Sequence, residues 1–378
     1  MNWSNASWNT SVNSSNGVFR NEQSLVPYYQ EPFVLLVVRL FFVCGIFLVG
    51  LLGNFLVCYV IIKDKLYRSM TYCLVFNLAV ADLGLLLLSL PLGMFRIEDI
   101  SWPAGEFACK VLYPLGDIFQ GGAIATITAI AFFRFRGIVS GQVLEPKKAV
   151  CQALVVIALI WPLSFLLFVV PLFFLMTFYV SPGGRIFCFP KFPSTLWMGL
   201  YNILTLLLLY LLPLALVLFT YLRIRRRLFE SINLHSRMQT ELGLKKPDHV
   251  AVLNHRALRI LTPVVIVFAV TMLPYNFLRF LDILDLKVVV FGEYILLYFK
   301  LCIPFFVCNS SANPVIYPFV CDDFRRGFKR HLQHWLSYCR REPILGPSVI
   351  RNKQDLLRLK VTSSPRQERQ TTISSVWL

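Results

Sequence analysis

The sequence predicts an all-α membrane protein, a seven-transmembrane helix bundle with a short cytoplasmic amphipathic eighth helix. Hydrophobic residues make up 57% of its 378 residues and charged residues only 15%, whereas an ordinary soluble domain has roughly 25% charged residues. Seven stretches reach the length of about 20 apolar residues that a helix needs to cross a bilayer. A soluble helix keeps a polar face, whereas the second stretch is apolar on all faces, with Leu83, Leu85, Leu86, Leu87, Leu88 and Leu90.

The seven predicted membrane helices cover residues 34–62, 71–95, 109–139, 152–173, 196–222, 258–284 and 294–320. An amphipathic pattern over 323–335 predicts a further helix along the membrane surface, with a solvated basic linker as the alternative. The polar, basic stretch 223–256 is expected to be a mobile cytoplasmic connection. These boundaries give an extracellular tail (1–32), a seven-transmembrane domain that includes the surface helix (33–338), and a cytoplasmic tail (339–378).

The charge distribution predicts the orientation of the bundle. Most of the 37 Lys and Arg residues follow helices one, three, five and seven, and short loops rich in these residues stay in the cytoplasm. The amino terminus is therefore expected outside and the carboxyl terminus inside. The net charge of +17 belongs to this topology and to the anionic inner membrane lipids, so no nucleic-acid partner is expected. Glycosylation sequons, which are modified only on the lumenal side, agree and begin at Asn2, Asn5, Asn9 and Asn13.

Three of the ten cysteines carry separate predictions. Cys109 lies at the outer end of helix three and Cys188 in the outer loop between helices four and five. Both face an oxidising compartment, so a disulfide between them is expected. Cys339, beyond the predicted surface helix and among basic residues, is a candidate for S-palmitoylation, with a free thiol as the alternative.

The predicted helices carry a series of short motifs in a fixed order. They are Asn54 in Gly-Asn-Phe-Leu-Val, Asp82 in Asn-Leu-Ala-Val-Ala-Asp-Leu, Trp161, Pro213 with Tyr221, Phe268 with Pro274, and Asn313-Pro314-Val315-Ile316-Tyr317. Through these motifs the chain resembles the rhodopsin-like (class A) G-protein-coupled receptors over residues 34–335. The resemblance implies a plasma-membrane receptor that transmits the binding of an extracellular ligand to a heterotrimeric G protein, and it argues against an enzyme.

The resemblance also implies residues that take part in activation and G-protein coupling. Pro213, Ile124 and Phe268 match a packing cluster whose rearrangement moves helix six outward. The remaining residues implied in this role are Asn54, Asp82, Arg134, Tyr221, Pro274, Asn313, Pro314 and Tyr317.

Asp82 is a carboxylate near the bilayer centre and requires partners. Asn54 is one candidate partner, and the resemblance implies a sodium pocket formed by Asp82, Asn309, Ser310 and Asn313. The family usually supplies a Ser from helix three where this chain has Ala123. A network of protein and water hydrogen bonds is therefore the alternative to sodium, and no other cofactor is expected.

Two motifs depart from the family pattern. The usual Asp-Arg-Tyr is Phe133-Arg134-Phe135, and the Trp expected before Pro274 is Met272. The acid that many members place at the inner end of helix six is Asn254. Arg134 would lack both usual carboxylate restraints, which predicts signalling without agonist. A non-signalling ligand-binding or scavenging receptor of the same fold is the alternative.

Polar and charged residues at the outer helix ends predict the ligand site. They are Arg96, Asp117, Gln120, Tyr275, Asn276, Arg279, Asp282 and Lys300. The mixture of signs suits a peptide; the alternatives are a small carboxylate or a lipid, with a carboxylate held by Arg279 or Lys300. Gly116, where amine receptors carry Asp, argues against a monoamine. In the tail, Ser and Thr clusters at 362–364 and 371–375 predict phosphorylation and arrestin binding.

Overall fold

A computed structural model describes residues 29–98, 101–139, 145–242 and 249–339. Within these ranges, seven helices are long and apolar enough to cross a membrane, which confirms the predicted bundle. The four sequons and the tail clusters lie outside the described residues. Up to Phe328 the chain forms one compact unit, and a second unit begins at Lys329.

The helices have the following bounds. Four helices are single segments: α1 (Phe33–Lys63), α6 (His249–Ile283), α7 (Ile295–Val320) and α8 (Asp322–Cys339). The other four consist of three consecutive segments each. They are α2 (Met70–Gly84, Leu85–Ser89, Leu90–Ile97), α3 (Gly105–Phe107, Ala108–Leu112, Tyr113–Val139), α4 (Pro146–Ser164, Phe165–Val169, Val170–Leu175) and α5 (Thr195–Leu206, Leu207–Leu211, Leu212–Leu242). Shorter helical turns are Leu66–Arg68, Lys287–Phe291 and Gly292–Tyr294.

The middle segments of α2, α3, α4 and α5 are π-helical turns of five residues. In each of these helices a proline follows two residues after the π turn, and these prolines are Pro91, Pro114, Pro171 and Pro213. A proline ring clashes with the carbonyl four residues earlier, which in all four helices is the middle residue of the π turn. The prolines therefore account for the local widening of these helices.

Glycines allow the helices to approach one another closely inside the bundle. A Cβ atom on Gly53 of α1 would lie 2.7 Å from Pro314 of α7, and one on Gly84 of α2 would collide with the Phe119 ring of α3. Close approach over small residues is a main source of helix association in lipid. It places the polar side chains of α1, α2, α3 and α7 within reach of one another.

Two features differ from the sequence-based expectations. The stretch 223–256, expected to be a mobile connection, is helical as far as Leu242 and again from His249, so the membrane helices on both sides extend well beyond their predicted ends. Pairs such as Arg226–Glu230, with Nε 3.2 Å from Oε1, favour a helix that continues beyond the membrane.

The second difference is a β-hairpin between α4 and α5, formed by β1 (Met176–Val180) and β2 (Ile186–Pro190). The strands are antiparallel, with Phe178 opposite Cys188. Gly184, with a φ of +77°, completes the turn between them in a conformation that glycine adopts at little cost. The Pro-Gly-Gly turn between aromatic, β-branched segments was a hairpin signal in the sequence.

A disulfide joins the hairpin to the start of α3. Cys109 and Cys188 are bonded, with their Cα atoms 5.7 Å apart, which confirms the predicted pairing. Trp102 is only 2% exposed and packs against both cysteines. Its backbone N–H donates to the Ile186 carbonyl at 2.8 Å. The hairpin is therefore fixed at this end of the bundle, called here the hairpin end.

Replacing Cys188 with Ser is expected to lower both surface expression and the melting temperature of the receptor. Breaking the disulfide releases the hairpin and typically costs about 2–5 kcal/mol. Surface labelling and thermal unfolding of purified protein measure the two effects. Cys44→Ser, at an exposed free cysteine of α1, is the matched control and should change neither. Equal behaviour of the two variants would contradict a structural role for the bond.

Candidate functional site

Two arginine–tyrosine pairs line the mouth of the bundle at the hairpin end. Arg96 of α2 donates from Nη1 to the Tyr113 hydroxyl of α3 at 2.6 Å, and its guanidinium lies 5.3 Å from the centroid of the same ring. Arg279 of α6 is 4.9 Å from the Tyr275 ring centroid and donates from Nη2 to the hydroxyl at 3.4 Å. Each tyrosine therefore holds a guanidinium at its face and its hydroxyl.

Asp117 of α3 lies near both arginines. Its carboxylate interacts electrostatically with Arg279 and Arg96, yet among the described residues no ion pair within 4.0 Å joins it to either. Arg96 is exposed, while Asp117 and Arg279 are half-buried. Of the predicted ligand residues, the structure thus brings Arg96, Asp117, Tyr275 and Arg279 into one group.

Three other predicted ligand residues lie at the edges of this group. Asp282 accepts a hydrogen bond from Asn202 of α5 at 2.9 Å. Asn276 is buried and donates to the Met272 carbonyl at 2.9 Å, and Gln120 is also buried. The prediction that these side chains contact a ligand remains a prediction.

The close packing of α3 against α2 explains why position 116 is a glycine. Ser89, at the end of the π turn of α2, donates to the Gly116 carbonyl at 2.9 Å. A Cβ atom on Gly116 would lie 2.8 Å from the Ser89 hydroxyl oxygen. A side chain at this position would therefore push α2 away from α3, which is consistent with the expectation that no monoamine is bound here.

A second group of charges, the four-charge cluster, consists of Glu31, Arg39, Glu98 and Lys300. Arg39 of α1 is 3% exposed and donates to both oxygens of Glu31, at 2.8 and 2.7 Å, and to both oxygens of Glu98. Lys300 of α7 lies 3.6 Å from Glu31 and 3.5 Å from Glu98. Lys300, a predicted ligand residue, therefore has two carboxylate neighbours.

Sequence reasoning did not single out Arg39, Glu31 or Glu98. The signal was an arginine within the first two turns of a membrane helix, since such a charge needs partners. The same reasoning overlooked Tyr113 and Asn202, whose positions near the hairpin ends of α3 and α5 were a weaker signal. Tyr29, two residues before Glu31, donates from its backbone N–H to the Glu293 carbonyl at 2.9 Å. The chain entering α1 is therefore held against the short helical turn that precedes α7.

Polar residues also meet in the middle of the bundle. Asn313 of α7 donates to one oxygen of Asp82 at 2.8 Å, and Asn54 donates to the Gly50 and Ser310 carbonyls at 2.9 and 3.1 Å. Thr271 bonds weakly to Asn309 at 3.5 Å. Six buried side-chain oxygens lack a hydrogen bond of acceptable geometry among the described residues, and four of them lie in this group: one each of Asp82, Asn54, Ser310 and Ser311.

Two of the three residues of the predicted packing cluster, Ile124 and Phe268, lie in one hydrophobic cluster. Ile124 and Phe268 are 2% and 1% exposed and pack with Tyr210 and Met272. Tyr210 of α5 donates to the Ala269 carbonyl of α6 at 3.1 Å. Pro213, the third residue of the predicted packing cluster, is buried. Met272 fills the place below the mouth where the family carries an indole.

At the opposite end of the bundle, Arg134 lines a cavity of about 60 Å³ together with Tyr72, Tyr317 and Phe324. Tyr317 stacks on Phe324, with ring centroids 5.2 Å apart, and Tyr221 packs against a neighbouring cluster of α3, α5 and α6 residues. No described carboxylate forms an ion pair with Arg134 within 4.0 Å.

Phe133, next to that arginine, packs against Leu74 of α2 and Ala153 of α4. The side chain of Asn254 and that of Cys339 lie outside the described residues, although both positions are within helices.

Seven membrane helices and a disulfide-anchored hairpin over a charged mouth form a seven-helix membrane bundle. Residues 53–317 match the model of the family described as 7 transmembrane receptor (rhodopsin family), and the chain belongs to this family. It is therefore a multi-pass membrane receptor that transmits signals through G proteins, and it is not an enzyme.

Curated relatives include three neuropeptide receptors. Neuropeptide Y receptor type 2 of Mus musculus is 33% identical over 293 residues, which cover 75% of this chain and 73% of the relative. Neuropeptide FF receptor 2 of Rattus norvegicus is 26% identical over 341 residues, covering 86% and 78%. Neuropeptide FF receptor 1 of the same species is 28% identical over 342 residues, covering 86% and 77%.

The Arg39→Gln change is expected to lower the melting temperature strongly, because it leaves two buried carboxylates with only Lys300. Breaking a buried ion pair costs about 3–5 kcal/mol. Lys110→Gln is the control, since Lys110 pairs with Glu106 at an exposed site, where a pair contributes at most about 1 kcal/mol. Similar melting temperatures for both variants would show that the cluster does not stabilise the fold.

The stabilisation that Glu31 contributes to the four-charge cluster is expected to depend on pH. Burial alone raises the pKa of Glu31, but hydrogen bonds and charges from Arg39 and Lys300 lower it below the ordinary value of 4.5. A carboxylate with a lowered pKa stabilises the fold above its unfolded pKa and loses this effect as the pH falls through the folded value. The difference between Glu31→Gln and the unmodified receptor should persist down to about pH 4.5 and shrink below it. A constant difference would contradict the ion pairing.

Proposed function

We propose that this receptor binds an extracellular peptide at the mouth of the bundle and couples that binding to a heterotrimeric G protein. The observation that carries the proposal is the similarity to neuropeptide receptors over most of the chain, together with a mouth that contains both arginines and carboxylates. A peptide offers both signs of charge and hydrogen-bonding groups, which the arginine–tyrosine pairs and Asp117 match.

The proposed orientation places the hairpin end outside the cell and α8 inside. The disulfide at the hairpin end supports this, because such bonds persist in oxidising compartments. The excess of Lys and Arg in the segments at the other end supports it as well. In this orientation the sequons at Asn2, Asn5, Asn9 and Asn13 are open to glycosylation.

Arrestin and membrane lipids are the further proposed partners. The Ser and Thr clusters at 362–364 and 371–375 would bind arrestin after phosphorylation. Helix α8 carries Asp322 and Asp323 in its first turn and basic residues after them, and it would lie on the inner membrane surface with a palmitoyl group on Cys339.

The polar residues around Asp82 fit a sodium ion. One carboxylate oxygen of Asp82 and the Ser310 hydroxyl oxygen, which lack a hydrogen bond of acceptable geometry, are hard oxygen ligands of the kind that small cations prefer. Asn309 and Asn313 would complete the proposed set. The alternative is a water-filled hydrogen-bond network, since Ala123 supplies no hydroxyl from α3. Sodium bound there would stabilise the resting arrangement of α2 and α7.

Replacing Asp82 with Asn should abolish stabilisation of the receptor by sodium. In the unmodified receptor the melting temperature is expected to be higher in NaCl than in choline chloride, and an ion present at ten times its Kd contributes about 1.4 kcal/mol. The isosteric amide keeps the shape but removes the charge. Thermal unfolding in the two salts measures the effect, and a sodium response that survives in Asp82→Asn would exclude this site.

Basal signalling is expected because no described carboxylate restrains Arg134. Phe133→Asp should lower basal G-protein activation relative to Phe133→Asn, which has the same shape without the charge. Asn254→Glu should do the same relative to Asn254→Gln. An exposed charge pair contributes up to about 1 kcal/mol, which can change a minor active population several-fold. Since Phe133 packs between α2 and α4, the two Phe133 variants must be compared at equal surface expression.

The decisive test of the proposed function is a peptide screen on cells that express the full chain, with G-protein dissociation as the readout and Arg134→Ala as the control. We expect a peptide that dissociates the G protein from the unmodified receptor and binds the control without signalling. Peptide binding without dissociation would favour the non-signalling alternative. Activation by lipids or small carboxylates alone would replace the peptide in the proposal.

A further inference from the structure

The arginines and lysines at the mouth of the bundle differ in how their charges are balanced. In the four-charge cluster, Arg39 and Lys300 face Glu31 and Glu98 at distances of 3.6 Å or less. Two cations thus share two carboxylates, and the cluster has no net charge. It is also largely buried, so it offers little free hydrogen-bonding capacity to a ligand.

Arg96 and Arg279 have no comparable compensation. Both interact electrostatically with Asp117, which is a single carboxylate for two guanidinium groups and touches neither. The nearby Asp282 is bonded to Asn202 of α5. The group formed by Arg96, Asp117 and Arg279 therefore carries a net positive charge at a site that is only partly open to water.

The two tyrosines increase the capacity of this group to bind an anion. Tyr113 accepts a hydrogen bond from Arg96, and Tyr275 accepts one from Arg279. Each hydroxyl then has its own hydrogen left to donate, and an O–H that already accepts from a cation is a stronger donor. A guanidinium held against a ring also keeps part of its planar fork of N–H groups free, and this fork matches the two oxygens of a carboxylate.

We propose that Arg96 and Arg279, with the hydroxyls of Tyr113 and Tyr275, form a subsite for a carboxylate of the ligand. Asp117 takes an adjacent N–H donor of the same ligand. The inference rests on the proposed function, because it assumes that the mouth is the ligand site, and it assigns the carboxylate to these arginines in place of Lys300. The carboxylate can be the free carboxyl terminus of a peptide or an acidic side chain.

Aromatic residues surround the same subsite and favour an apolar group beside the carboxylate. Tyr275 lies edge-on to Phe306, with ring centroids 6.1 Å apart, and Tyr201 lies 5.6 Å from Phe192. N-acetyl-phenylalanine therefore serves as a minimal probe of a peptide carboxyl terminus. N-acetyl-phenylalaninamide differs from it only in lacking the charge, and N-acetyl-glutamic acid α-amide offers a side-chain carboxylate.

The experiment measures binding of these three probes to the full chain in lipid nanodiscs by ligand-observed NMR. N-acetyl-phenylalanine or the glutamic acid α-amide should bind at least about tenfold more tightly than the neutral amide. Whichever of them binds identifies the source of the carboxylate. Arg96→Gln and Arg279→Gln should each remove this preference, and Arg279→Lys should restore part of it. Lys110→Gln, at an exposed ion pair, should leave it unchanged.

The proposal would be overturned if neither acid binds more tightly than the neutral amide, or if the acid preference persists in either glutamine variant. Melting temperatures of the variants exclude loss of folding as the cause. The peptide screen separates this result from the proposed function. If peptides activate the G protein regardless of either arginine, the subsite fails and the function stands. If the acid probe requires both arginines but no peptide activates, the subsite stands and peptide signalling fails.

Discussion

The bundle depends on one constraint, which is that lipid offers no hydrogen-bond partner to a polar group. A polar side chain inside a membrane helix is therefore stable when it finds its partner on another helix, in its own backbone, or in a bound ion or water molecule. Asn77 of α2 joins three helices. It donates to Thr126 of α3 at 2.8 Å and accepts from the Trp161 indole of α4 at 3.0 Å. Asp82 and Asn313 join α2 to α7 in the same way. Without a hydrophobic drive between helices in lipid, such bonds and close glycine contacts fix which helices are neighbours.

The helices and the disulfide could be predicted from the sequence because their causes are local or chemical: long apolar runs, and two cysteines expected to face an oxidising compartment. The continuation of α5 to Leu242 was missed because polar composition alone does not separate a solvated helix from an irregular loop. The hairpin was missed because its strands are short and lie between two long apolar helices, so only the Pro-Gly-Gly turn distinguished them from a loop. The π turns had a visible cause in Pro91, Pro114 and their equivalents, but a proline can also kink or end a helix, so their form could not be foreseen.

The site was only partly predictable for a different reason. The sequence identified the charged residues of the mouth, including Arg96, Asp117, Arg279 and Lys300, but not which of them are already paired. The partners of Arg39 are 8 and 59 residues away along the chain, and no periodicity connects them. Pairing decides the role of a charge: a neutral buried cluster fixes the chain entering α1, whereas an unbalanced pair of arginines is free to attract a ligand. Residue type alone gives both groups the same appearance.

Pairing also changes how the Arg134 end of the receptor is understood. The family motif usually provides an acid beside this arginine, and here Phe133 packs between α2 and α4 instead. A carboxylate is connected to this site through one intermediate residue. Asp323 of α8 accepts a hydrogen bond from Tyr72 of α2 at 2.6 Å, and Tyr72 lines the same cavity as Arg134. This bond ties α2 to α8 without touching α6. The described restraints on α6 are then hydrogen bonds such as that from Tyr210 to the Ala269 carbonyl, and packing, such as that of Val265 in the cluster of Ile127 and Val217. Dispersion attraction falls off more steeply with distance than the attraction of an ion pair, so the packing contribution is lost as soon as the surfaces separate.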